Sequence, residues 1–232
     1  MMITPTEDRK TRSCQGQSNT FGLSPGLPED GGTCPGATCG PGGCLEKRGP
    51  IQRTCYAERL ARFRSCVGAV LRRITELLER SSFSAKVQLF AQEFSRFLGE
   101  KKGEKNYRLH WSGDIPDREY ARALGCAIAR FPEIRFWGYT RSFFAVPLLA
   151  GLKNLRLYLS VDQVNRIEGL AVYRKYRKAG NVHLSFMSRE RPTGFREKFL
   201  PCPVDTGKLE QLESCHKCRA CFHGRTIWFK TR

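Results

Sequence analysis

The sequence predicts an α/β fold: parallel βα repeats forming a partial or full TIM-like barrel, with a cysteine-rich N-terminal loop before it and a C-terminal metal-binding segment after it. Three observations carry that prediction. Beyond Lys105, short strand-like runs alternate with helical ones. Four of those strands end in polar residues, and in sheets of this kind ligands gather at the carboxyl ends. The last fifth of the chain holds Cys202, Cys215, Cys218 and Cys221 in a C-x12-C-x2-C-x2-C spacing.

Taken in order, residues 1–32 are rich in Ser, Thr, Gly, Pro and Gln and poor in apolar groups, so they read as disordered, with Cys14 a bystander. From Tyr56 to Leu78, apolar residues recur at steps of three and four, which predicts an amphipathic helix with Cys66 as a small core residue. A second helix is expected over 84–97, capped by Ser81 or Ser82. Strands follow at 107–112, 135–140, 155–160 and 182–187, with helices at 117–129, 142–150 and 164–178 between them. Regular alternation forces parallel pairing, because each connection must cross back over the sheet. Segments at 80–106 or after 190 would supply the further strands of a six-stranded partial barrel. The domain reading is a disordered segment 1–32, a barrel-like domain 33–200 with its cysteine loop, and a cysteine cluster segment 201–232.

Thiolates two residues apart on a tight turn can face one centre, so the C-terminal four make a closed soft-ligand site for iron–sulfur or zinc. Their C-x2-C-x2-C run is closer to ferredoxin usage than to the paired motifs of structural zinc. A second, looser set is Cys34, Cys39, Cys44 and Cys55, with glycines that let backbone wrap closely. Eleven cysteines without a secretory signal argue for metal ligation over disulfides and for a cytoplasmic protein. No run reaches the ~18 apolar residues of a membrane span.

The polar strand ends are His110 to Asp114, Tyr139 to Ser142, Ser160 to Asp162 and Ser185 to Ser188. Together they suggest one active-site face. Each has a plainer reading: Asp114 before Pro116 turns the chain, Asp162 caps the next helix, and His110 is an interior histidine. Trp111 and Trp137 read as core or wall, and Cys126 as packing. The formal charge of +18 gives a field that would hold nucleic acid, or else merely solubilises. Arg59, Arg62, Arg64, Arg72 and Arg73, and Arg174, Lys175, Arg177 and Lys178, come closest to basic stripes. A hydrolase is disfavoured, since no nucleophile elbow is expected at a strand-to-helix turn.

Thr33-Cys34-Pro35-Gly36-Ala37 with Cys55-Tyr56-Ala57, then His110-Trp111-Ser112-Gly113-Asp114, Phe136 to Arg141, Ser160-Val161-Asp162 and the final cysteine run resemble the phage gene-product-88 family of phages and mobile elements. That family looks like an outlier of the radical S-adenosylmethionine group. The resemblance implies a [4Fe-4S] cluster on Cys34, Cys55 and one of Cys39 or Cys44. It also implies S-adenosylmethionine contacts at Ser112, Gly113 and Asp114, with Thr140 and Ser160 beside them. Asp114, Arg141 and Asp162 are the expected catalytic groups, the C-terminal cluster is auxiliary, and the electron donor is a flavodoxin or ferredoxin. The usual C-x3-C-x2-C compactness is missing, since ten residues separate Cys44 from Cys55. The rival expectation is a zinc-stabilised nucleic-acid-binding protein without catalysis.

Overall fold

A computed structural model describes residues 2–6, 19–37, 55–100, 103, 105–212 and 214–230. Cys14, Cys39 and Cys44 lie outside the described residues, as do the side chains of Arg59 and Arg62.

Six parallel strands form one sheet in the order β1-β2-β3-β4-β6-β5, curled as a half-barrel. They are β1 (Asn106–Leu109), β2 (Arg135–Thr140), β3 (Leu155–Val161), β4 (Val182–Ser188), β5 (Leu200–Pro201) and β6 (Ile227–Lys230). The βα alternation is therefore as expected over β1 to β4, and the two further strands come from the segment after 190. The connecting helices α4 (Arg118–Ala129), α5 (Val146–Leu149) and α6 (Arg166–Tyr176) follow the strands, and Asp117 caps α4 by accepting a hydrogen bond from the Tyr120 amide at 2.7 Å. β1 stops earlier than its residue pattern suggests, because His110 takes a left-handed φ of 46° that ends the ladder.

Side chains alternate across the sheet. Tyr107, Phe136, Leu157, Leu184 and their same-face neighbours join the main core with α3 (Phe83–Glu100), where Phe94 meets Phe136 at a ring-centroid distance of 4.7 Å. The opposite, inner face carries Trp137, Tyr139, Tyr158 and His183, and parallel sheets need that face covered as well. Residues 220–223, a 3-10 turn, cover it: Phe222 packs on Trp137 at 4.5 Å.

Three expectations are corrected. The single helix over 56–78 is two, α1 (Tyr56–Phe63) and α2 (Ser65–Glu79), broken where Arg64 leaves helical geometry at φ −126° and ψ 89°. Cys66 and Cys126 are exposed, on the solvent side of their helices rather than in the core. Residues 19–32 are ordered, not disordered: Phe21, Leu23 and Leu27 are buried, as is Ile3 before them. Polar composition hid this role, which is to cover the free edge of β1. The Arg108 amide donates to the Asn19 carbonyl, the Trp111 amide to Phe21, and the Leu23 amide to Ser112.

Phe21 is fully buried against Phe90, Tyr107 and His110. Phe21→Ala should therefore destabilise the fold by about 3–5 kcal/mol, measured by chemical denaturation. A loss under about 1 kcal/mol would mean that the segment is not part of the core.

Candidate functional site

The four C-terminal cysteines come together. Cys202 follows β5, Cys215 and Cys218 sit at either end of the last turn of α7 (Ser214–Cys218), and Cys221 lies in the next 3-10 turn. Arg219, at φ 58°, reverses the chain between them. All four line one small cavity together with Pro201, Val204 and Ile227. Cys221 lies against the inner face of the sheet: Tyr139 donates its hydroxyl to the Cys221 Sγ at 2.8 Å, and Tyr158 donates to the Cys221 carbonyl at 3.1 Å. Cys218, at the other side, is exposed. Burial pushes the Cys221 thiol up to about 12, and Cys215, Cys202 and Cys218 add to the rise, while the Tyr139 hydrogen bond opposes it. Such a thiol is protonated at neutral pH. Among the described residues, no group of three or more His, Cys, Asp or Glu side chains is set for a metal ion.

The N-terminal loop lies over the carboxyl ends of β1 and β2. Gly36 passes so close to the Arg141 carbonyl that a Cβ there would stand 2.1 Å from the oxygen, so only glycine fits. Burial raises the Cys34 thiol to about 12, and both Asp114 and Cys55 lie near enough to raise it further. Cys34 and Cys55 thus lie within electrostatic reach of each other, with Cys34 beside the loop that follows β1.

Beside Cys34 runs a continuous polar chain. The Asp114 Oδ1 accepts from the Ile115 amide and the Thr140 hydroxyl, both at 2.7 Å, and Oδ2 accepts from the Arg141 amide at 2.7 Å. Burial raises the Asp114 carboxyl and these donors oppose the shift. The Arg141 guanidinium pairs with the Asp162 Oδ2 at 2.5 Å, and the Asp162 Oδ1 accepts from the Val164 amide at 2.8 Å and the Asn165 amide at 3.2 Å. Asp162 therefore ties the turn before α6 rather than capping the helix, whose N-cap position is Asn165, and Asn165 returns a bond to the Ser160 carbonyl at 3.1 Å. Asp114, Thr140, Arg141 and Asp162 are brought together, with Ser160 beside them.

Ser112 and Gly113 face the N-terminal segment. The Ser112 hydroxyl donates to the Leu23 carbonyl at 2.9 Å, and Gly113, at φ +74°, packs where a Cβ would meet Thr33 and Leu23. The Thr33 hydroxyl in turn accepts from the Asp114 amide at 3.2 Å. The surface that the resemblance assigns to a cofactor amino group is met by Leu23 and Thr33 of the N-terminal segment. His110 is interior, 2.6 Å from the Tyr120 hydroxyl, and burial lowers its pKa to about 3, helped by Arg108.

A family model for gene product 88 matches residues 3–224. The chain belongs to the gene product 88 family. It is 30% identical to the gene 88 protein of Mycobacterium phage L5 over 245 residues, covering 97% of this chain and 96% of that protein. It is likewise 30% identical to the gene 88 protein of Mycobacterium phage D29 over 251 residues, with the same coverage. No solved structure matches. Gene product 88 kinship is thus established, while nothing in these matches extends it to the radical S-adenosylmethionine group. Among the described residues, no helix of this family member is long and apolar enough to cross a membrane.

Two groups at the thiol site were not linked to it in the sequence: Tyr139, read as part of a polar strand end, and Tyr158. Their parity in β2 and β3 places them on one face, which was legible, but that Cys221 would meet that face was not.

Two outcomes test this geometry. With iodoacetamide on the metal-free native protein, peptides holding exposed Cys66 and Cys126 should be alkylated well before those holding Cys34 and Cys221, as followed by mass spectrometry. Equal rates would place the latter thiols in water. His110 has a folded pKa below its unfolded value near 6.5, so the unfolded chain binds the extra proton between these values. Stability should be full above about pH 6.5 and fall as pH drops toward 3, and His110→Asn, which tolerates the left-handed φ, should flatten that slope in denaturation measured across pH.

Proposed function

We propose that this gene product 88 protein is an iron–sulfur protein whose Cys202, Cys215, Cys218 and Cys221 hold a cluster against the inner face of the half-barrel. The observation that supports it is the meeting of these four thiols on one cavity, three of them from one short turn. Four cysteine sulfurs and no carboxylate form a soft donor set that suits iron–sulfur or zinc. When bound, such a cluster supplies one-electron chemistry.

The chain's own part is to position and shield. Arg219 turns the backbone so that Cys218 and Cys221 approach from both sides, Phe222 anchors the turn on Trp137, and the two tyrosines fix Cys221 on the sheet. Because the Cys221 thiol is protonated when free, loading releases protons, and metal uptake should weaken as pH falls. Exposed Cys218 is the side from which a flavodoxin or ferredoxin would deliver electrons. Cys34 and Cys55 are a second ligand pair, with Cys34 beside the strand ends where Arg141 and Asp162 would meet a substrate. S-adenosylmethionine fits less well, since Ser112, Gly113 and Asp114 are engaged by the N-terminal segment and by their own loop.

Anaerobic purification followed by iron, sulfide and zinc analysis tests the reading. Wild type should be brown with iron and sulfide in equal amounts. Cys221→Ser and Cys218→Ser should lose most of the iron of the C-terminal site, and Cys66→Ser should lose none. A colourless zinc protein would make the site structural.

Charge supports a second reading, nucleic-acid binding. Arg72 and Arg73 on α2, and Arg174, Lys175, Arg177 and Lys178 around the end of α6, are all exposed. On one duplex, the double replacements of Arg72 with Arg73, or Lys175 with Lys178, by Gln should lower the log–log salt slope by about 0.9 for each phosphate no longer neutralised. Slopes indistinguishable from wild type would leave the +18 as a solubility feature.

A further inference from the structure

Of the four C-terminal sulfurs, that of Cys221 carries a hydrogen bond that ligation does not require. The Tyr139 hydroxyl points at the Cys221 Sγ from 2.8 Å, while the neighbouring Tyr158 holds only the carbonyl of the same residue. Tyr139 is itself clamped in place. Its ring lies 5.1 Å from that of Tyr158 and 5.5 Å from that of Phe229, and the Arg108 guanidinium carbon stands 5.7 Å from its centroid. Two packed rings and a cation fix the hydroxyl on the sulfur.

We propose that Tyr139 is a positioning residue that sets the reduction potential of the C-terminal site, by holding a hydrogen-bond donor on the Cys221 sulfur. This inference rests on the iron–sulfur reading above. Reduction places one further electron on the metal–sulfur unit, and the added negative charge spreads onto the ligand sulfurs. An O–H dipole whose proton faces one of those sulfurs stabilises the reduced form more than the oxidised one, and so raises the potential. The Arg108 charge above the ring acts in the same sense. Tyr158 lacks this effect because its partner is a carbonyl.

The test uses the full chain, reconstituted anaerobically with iron and sulfide and titrated with dithionite as the electron source, with visible absorption as the readout. A Cys34→Ser/Cys55→Ser background leaves the C-terminal site as the one observed. Tyr139→Phe should hold the same iron and sulfide per chain as its parent and shift the midpoint to a more negative potential, while Tyr158→Phe should shift it less. Incorporation of 3,5-difluorotyrosine at position 139, a stronger donor of nearly the same shape, should move the midpoint the other way. That second variant decides the matter should Tyr139→Phe fail to fold. Normal iron content with a midpoint unchanged by either replacement would overturn the role of Tyr139 and leave the iron–sulfur reading standing. A parent protein that takes up no iron would overturn both.

Discussion

The buried carboxylate of Asp114 is the point on which the carboxyl end of the sheet depends. It is nine-tenths or more removed from water, and charge in such a place persists only if every lone pair is met. Here the donors come from two directions, its own loop through the Ile115 amide and the end of β2 through the Thr140 hydroxyl and the Arg141 amide, while the Asp114 backbone amide donates to the Thr33 hydroxyl of the N-terminal segment. One group therefore fixes the exits of two strands and seats the loop that carries Cys34. Arg141, whose backbone is held by Asp114, then extends its guanidinium to Asp162 and brings in the exit of β3.

A parallel sheet imposes the second constraint, since both of its faces must be covered. Helices α3 to α6 lie on one, and the other receives only the short α7 and the turn that follows it. The chain's solution is an inner layer of aromatic rings on β2, β3 and β6, closed by the cysteine turn with Phe222 as its plug. Fold and candidate chemistry are joined at this turn. The same residues that complete the core carry the thiols, so losing the turn would expose Trp137 and Tyr158 as well as dispersing the sulfurs.

Much of this was legible in the residues. Strand runs at 135–140 and 155–160 matched β2 and β3 almost to the residue, because hydrophobic alternation and flanking turn residues are local signals. The C-x2-C-x2-C spacing likewise foretold that Cys215, Cys218 and Cys221 would share a turn. Less legible were β5 and β6: β5 has two residues and β6 four, too short for a periodic pattern to show. The ordered role of residues 19–32 was hidden for another reason. Phe21 and Leu23 are two apolar residues in a polar stretch, and what orders them is the open edge of β1, more than 80 residues away in the chain.

By itself the sequence determined the βα alternation, and hence parallel pairing, and it determined that the thiols of Cys215, Cys218 and Cys221 would lie on one short turn. Both follow from neighbours close in the chain: backbone periodicity in the first case, the geometry of a tight turn in the second. Only the tertiary structure decided which surface those thiols meet. Contacts such as Tyr139 on Cys221, Ser112 on Leu23 and Gly36 on Arg141 join residues 82, 89 and 105 positions apart, and such pairs have no local signature. They are selected by the closing of the sheet and by the demand that each buried polar group find a partner, conditions that exist only once the chain has folded.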